Sequence, residues 1–175
     1  MTEYSKETSF WHLLKEKRIV IPIIQRDYAQ GRIGKEYLRQ RFLGQLLCAL
    51  KTDTPESKLV LDFVYGSTEG NILYPLDGQQ RLTTLWLLHW YLALRAGALD
   101  EDGQTLRNFS YETRTSSRIF CDNLCKIKAS YKPETDDVVS FIRNQRWYYS
   151  SYDQDPTIQS MLCMLGGSGM EGKSD

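Results

Sequence analysis

Asp77, Gly78, Gln79, Gln80 and Arg81 separate two apolar runs in the stretch NILYPLDGQQRLTTLWLLHWYLALRAG, residues 71 to 97. Their types suit one chemistry in particular. The first turn of a helix exposes unpaired N–H groups and the positive end of the helix dipole, which suits an anion such as phosphate. Gly78 lets a ligand approach the main chain closely. Gln79 and Gln80 bring amide donors and acceptors, and Arg81 brings a planar fork that matches phosphate oxygens. Asp77 would repel a bare phosphate, so its carboxylate must serve differently. It could hold a magnesium ion, often through water, or accept a hydrogen bond from a ribose or base. Thr83 and Thr84 are close enough to assist with phosphate or water. The same residues also fit a plain helix start, with Asp77 as the cap, Gly78 in the turn and the amides in solvent. Spacing alone does not choose between the two. Neither polar junction is a P-loop, G-x-x-x-x-G-K-[ST]; those letters occur in the Gly- and Ser-rich tail, GSGMEGKS at 167–174, behind an expected helix and not a strand, so the usual ATPase architecture is not expected.

A second polar island follows an apolar run in IPIIQRDYAQGR, residues 21 to 32. It holds Gln25, Arg26 and Asp27, and Tyr28 adds a ring able to stack on a base. Taken alone, Arg and Asp at a strand end read as a turn with a surface ion pair. Taken with the first island, they change the reading. Each island carries a Gln–Arg pair at the end of an apolar strand, and parallel neighbouring strands would bring both arginines to one edge. Their tips are then expected within about 10 Å, a separation one polyphosphate bridges while paired to both.

The elements that must position these residues read as follows. Residues 8–18 form a short helix, capped by Thr8 or Ser9, with Phe10, Leu13 and Leu14 on its apolar face. Residues 18–28 are β-rich, and Pro22 marks an edge or a strand end. A helix from about 35 to 50 places Leu38, Phe42, Leu46 and Leu50 at helical spacing. Residues 58–66 and 71–76 form a hairpin around the turn STEG. A strongly apolar helix runs from about 79 to 96 and ends at Gly97. A strand near 106–112, a helix at 116–129 capped near Ser116, and a helical stretch at 136–146 follow. Asp153 or Asp155 starts a last helix, with Pro156 in its first turn. The tail 166–175, rich in Gly and Ser, reads as disordered or as a truncation point. Residues 1–165 read as one domain. His89 reads as a packed core histidine, and RWYYSSY (146–152) as a hydrophobic cover whose alternative use is stacking on bases. Asp62 sits in a strand whose alternation does not decide its direction.

Composition narrows the classes. The 175 residues are 41% hydrophobic, 12% aromatic and 25% charged, with formal net charge zero, which describes a folded protein. A dedicated nucleic-acid binder is usually more basic. A local excess of Arg107, Arg114, Arg118, Lys126, Lys128 and Lys132 over Glu112 and Asp122 reads as a solvated face. Four cysteines without a Cys-x-x-Cys, and two histidines, give no zinc framework. With no signal peptide and no apolar run long enough to span a bilayer, a reducing cytoplasm is the expected location and no membrane is expected among the partners.

IPIIQRDYAQ (21–30) and LDGQQRLTTL (76–85) together resemble the N-terminal domain of GmrSD-type, modification-dependent type IV restriction enzymes. That family's pattern is P-x-x-Q-R-x-Y-x-W followed, after a hairpin, by D-G-Q-Q-R-L-T-T-L. DPTIQSMLCML (155–165) is also similar, and the resemblance covers roughly residues 8 to 165. It implies an α+β fold, ParB/sulfiredoxin-like, with a small mixed sheet and hairpin packed by helices. It also implies a domain of a phage-defence system that binds and hydrolyses a nucleoside triphosphate with Mg2+. By motif, Asp77, Gln80 and Arg81 would be catalytic, with Asp77 holding the metal. Gln25, Arg26, Tyr28, Gly78, Gln79, Thr83 and Thr84 would bind the nucleotide. The implied partners are nucleotide, DNA and a C-terminal HNH-type nuclease region; a binding module that senses nucleotide or DNA without turnover is the alternative. Two departures stand out. Gln30 replaces the family's tryptophan, and residues for an HNH metal site are missing, so this chain alone is not expected to cleave DNA.

Overall fold

The computed structural model describes residues 7–22, 27–30, 32, 34–51, 59–61, 63–112, 114–128 and 130–166. Its sheet is built around the first strand of the chain. β1 (Arg18–Ile21) lies between β3 (Ile72–Pro75) and β4 (Phe109–Tyr111), parallel to both, and β2 (Gly66–Glu69) pairs antiparallel with β3. Ile19, Val20 and Ile21 are all buried, as a parallel strand covered on both faces requires. β1 has neighbours on both sides and ends at Ile21, so Pro22 marks the strand end and not an edge. The fold is mixed α+β, a small four-stranded sheet packed by helices, and is compatible with a ParB/sulfiredoxin-like arrangement.

The hairpin departs from its expected register. Ser67, Thr68 and Glu69 pair with β3, and the turn falls at Gly70 and Asn71. A two-residue hairpin loop needs positive φ, and Gly70 supplies it at +57°. Turn chemistry thus outweighs the β propensity of LVLDFVY. Residues 59–61 and 63–65 form no strand, and most of their side chains are exposed, with Phe63 at 82%. Asp62 lies outside the described residues.

α1 (Phe10–Glu16) starts at Ser9, whose hydroxyl accepts from His12 N at 3.2 Å. α2 (Glu36–Lys51) forms as expected but has no buried residue: Phe42 and Leu46 are half-buried, Leu38 and Leu50 exposed. Helical periodicity reports which face a helix can bury, not whether anything covers it. Arg39 ties this helix to the body by donating to the carbonyl oxygen of Cys163 at 3.2 Å.

The core is organised by α3 (Gln79–Ala96), which buries Leu82, Trp86, Leu87, Trp90, Ala93 and Leu94. The indole of Trp86 donates to Leu106 O at 2.9 Å and that of Trp90 to Leu124 O at 3.0 Å, so neither ring buries an unmet donor. α4 (Leu99–Leu106) has no counterpart among the expected elements because it is short and acidic and contains Gly103. Leu99, Gly103 and Leu106 nevertheless form its buried stripe, and Asp100, Glu101 and Asp102 suit the positive end of its dipole. α5 (Thr115–Leu124) begins earlier than expected. Arg114, not Ser116, holds the cap position, without a side-chain cap, and the Ser116 hydroxyl donates to Asp155 instead.

α6 (Val138–Arg143) is capped by Asp137, which accepts from Ser140 N at 2.8 Å. α7 (Pro156–Met164) is capped by Asp155, which accepts from Thr157 N and Ile158 N at 2.9 and 3.1 Å, with Pro156 at its start. Trp147, Tyr148 and Tyr152 pack edge-on around Phe120, so the aromatic run 146–152 is a core cover. His89 is half-buried and stacks on Trp11 at 5.6 Å, a packing histidine. Burial raises the thiol pKa of both Cys121 and Cys125, that of Cys125 to about 12, so neither is a reactive nucleophile near neutrality.

Candidate functional site

Parallel pairing of β1 with β3 puts the C-terminal ends of both strands at one edge of the sheet. β3 ends at Pro75 and α3 begins at Gln79, so the central polar residues form the junction between them. Tyr65 O accepts from Leu76 N at 2.8 Å and Asp77 N at 3.2 Å, which lays the 63–65 segment over that junction.

The helix start is built around Gly78. It occupies the cap position of α3 with φ +84°, left-handed backbone that glycine adopts without strain. It offers no side-chain cap. The Asp77 carboxylate accepts from Gly78 N at 2.7 Å, so it closes the turn before the helix and does not cap the helix itself. The first turn of α3 therefore keeps the character that favours an anion. We expect Gly78→Ala to cost about 1–3 kcal/mol, because the left-handed conformation penalises any Cβ and overpacking adds to it. An added Cβ would lie 2.8 Å from a Val64 methyl carbon. A chemical denaturation midpoint unchanged by the substitution would contradict this.

The amides and hydroxyls are largely engaged within the protein. Gln79 is buried and donates to Leu76 O at 2.9 Å, tying the helix back to the strand end. Gln80 reaches the other island: its side-chain oxygen accepts from Ala29 N at 2.8 Å and its NH2 donates to Asp27 O at 2.9 Å. Arg81 is half-buried and donates to Phe63 O at 2.8 Å. Thr83 is buried against the Tyr111 hydroxyl at 3.2 Å. Thr84 is buried between the Tyr28 hydroxyl, 2.8 Å away, and Gln30.

Tyr28 corrects an expectation. Its ring is 1% exposed and belongs to the core, so it is not a platform for a base. Burial pushes its hydroxyl pKa above the usual tyrosine range, with the hydrogen bond to Thr84 pulling the other way. Thr83, Thr84 and Gln79 are likewise packed into the protein, so of the polar junction residues Asp77 is exposed and Gln80 and Arg81 are half-buried. Gln30, standing where the family pattern has tryptophan, commits its side-chain oxygen to Thr84. Gln25 and Arg26 lie outside the described residues, and so does the expected separation of Arg26 from Arg81.

Asp27 forms ion pairs with Arg32, at 3.0 Å, and with Arg114. A surface ion pair was legible in the sequence, but Arg114, nearly ninety residues away, carried no local signal. Among the described residues no group of three or more His, Cys, Asp or Glu could hold a metal. The exposed Asp77 carboxylate fits a magnesium ion of the kind held by one carboxylate, water and substrate phosphates.

A family model for the GmrSD restriction endonuclease N-terminal domain matches residues 10–165. The chain belongs to this family. No curated protein and no solved structure matches it. As a GmrSD N-terminal domain it is a component of a phage-defence restriction system. Among the described residues of this GmrSD domain, no helix is long and apolar enough to cross a membrane.

Proposed function

We propose that this domain binds a nucleoside triphosphate at the β3–α3 junction and hydrolyses it, acting as the regulatory part of the restriction system. The observation that carries the reading is the Gln80 clamp. Its two hydrogen bonds hold the end of the first island, Asp27 to Ala29, against the first turn of α3. The helix start there has no side-chain cap, Arg81 lies in its first turn, and Asp77 is exposed beside it.

In this reading the N–H groups of the first turn and Arg81 bind the phosphates, with Gln25 and Arg26 from the first island. Water attacks the γ-phosphorus, the bond from that phosphorus to the bridging oxygen breaks, and the diphosphate leaves with the electron pair. The water's proton passes to solvent or phosphate. Arg81 stabilises the charge that spreads over the phosphoryl oxygens. Magnesium, held by Asp77, would supply further charge neutralisation. Gln79, Thr83, Thr84 and Tyr28 set the position of the junction. The wider partners we propose are DNA and a C-terminal HNH-type nuclease region, in the cytoplasm.

One observation favours a second reading, a sensor that binds without turnover. Both polar atoms of the Gln80 amide are engaged with the 27–29 main chain, which fixes the side chain in a holding role between the two segments in this conformation. The two readings separate on one protein sample. At a ligand concentration one hundred times Kd, binding adds about 2.7 kcal/mol. For a domain of this size that raises Tm by about 5–10 °C with ATP or GTP and magnesium. A shift with phosphate release supports the hydrolase, a shift without release supports the sensor, and no shift with any triphosphate rejects both.

A further inference from the structure

Asp27 is held at both ends of its residue. Its main-chain oxygen accepts from Gln80 in the first turn of α3, and its carboxylate pairs with Arg114 and with Arg32. Arg114 does not stand on open surface. It occupies the cap position of α5 and donates to the Thr157 hydroxyl at 3.4 Å, in the first turn of α7. That corner is itself cross-tied. Asp155, the cap of α7, accepts from the hydroxyls of Ser116 and Ser117 on α5. Side-chain exposures of 31% for Arg114 and 33% for Asp27 place the pair where solvent screens it less than a free surface pair.

From this geometry we infer that the Asp27–Arg114 pair is a strut that holds Asp27 to Ala29 against Gln80 and the α3 junction, making Arg114 a positioning residue for the nucleotide site. One side of the strut is a corner of two helix starts, the other is the junction helix. The strut also links phosphate occupancy at α3 to the α5–α7 corner. The assignment rests on the nucleotide reading above, but its mechanical half can be tested without nucleotide.

The experiment compares wild type with Arg114→Met, Arg114→Lys and Asp27→Asn. Nucleotide affinity is measured with magnesium and ATP or GTP, and the rate of tryptic cleavage after Arg32 is followed by mass spectrometry in the absence of nucleotide. We expect Arg114→Met to weaken nucleotide affinity about ten- to a hundredfold, the scale of loss when a remote change misplaces a binding group. Cleavage after Arg32 should accelerate several-fold, and Arg114→Lys should recover part of both. Affinity or cleavage at the wild-type level in Arg114→Met overturns the strut. If Arg114→Met does not fold, Asp27→Asn, which keeps the shape of the side chain, carries the same two readouts. If wild type binds no triphosphate, the functional reading falls. The positioning role falls with it, and unchanged cleavage would then remove the mechanical strut as well.

Discussion

If the domain turns over nucleotide as proposed, Arg81→Ala is expected to leave it folded and to remove that turnover. The side chain is half-buried and its described hydrogen bond goes to Phe63 O, a carbonyl in an exposed segment that water can satisfy once the arginine is gone. That bond comes from a charged guanidinium, so its loss alone costs about 1.5–3 kcal/mol, less than a typical domain stability. The catalytic cost is larger, because a charge-assisted donor aimed at developing charge accounts for about 10²–10³ in rate. Circular dichroism, Tm and phosphate release on the same preparation check this. A variant that hydrolyses at the wild-type rate reduces Arg81 to an anchor for the 63–65 segment. A variant that unfolds makes it part of the structural frame and removes the main phosphate ligand from the proposal.

The opposite pattern is expected at Trp86. The ring is fully buried, stacks on Phe109 of β4 at 5.4 Å and satisfies Leu106 O. Trp86→Ala leaves a large cavity and an unmet carbonyl, together about 3–5 kcal/mol or more. Set against a typical domain stability of about 5–15 kcal/mol, that brings the protein close to unfolding at ordinary temperature. Urea denaturation measures the loss, and a change under about 2 kcal/mol would mean that the core collapses into the space. Leu85→Ala, which helical spacing alone suggests as a core probe, should cost less than Leu82→Ala. Leu85 is half-buried whereas Leu82 is 2% exposed.

What the sequence disclosed follows the range of each signal. The start of α3 at Gln79, its end at Gly97, the Ser9 cap and the Asp155–Pro156 start of α7 all rest on neighbouring residues, and all stand. The hairpin register differs because a β-rich segment suggests a strand where Gly70 dictates the turn. α4 gives little local signal because its apolar residues are few and its burial comes from α3 and α1, which no local window reports. The two Gln–Arg islands were legible as a pair, and parallel strand pairing brings their strand ends to one edge. That Gln80 reaches back to Asp27 and Ala29, that Tyr28 turns inward to Thr84, and that Arg114 closes on Asp27 are contacts between distant segments. Residue type alone cannot specify them.

The place of β1 in the sheet bears on how the chain is made. A nascent chain releases β1 first, yet both of its partners come far later: β3 at 72–75 and β4 at 109–111. Closing such long loops precedes any gain from the pairing, so the sheet is slow to form compared with the local helices. Until Tyr111 has left the ribosome, the strand that carries the first motif has an open flank. The fragment 1–97 contains both motifs, DGQQR and QRDY, but lacks β4, α4 and the Arg114 corner. A piece cut to the motifs would keep β1, β3 and the Gln80 clamp but leave one flank of β1 unpaired and Asp27 without Arg114.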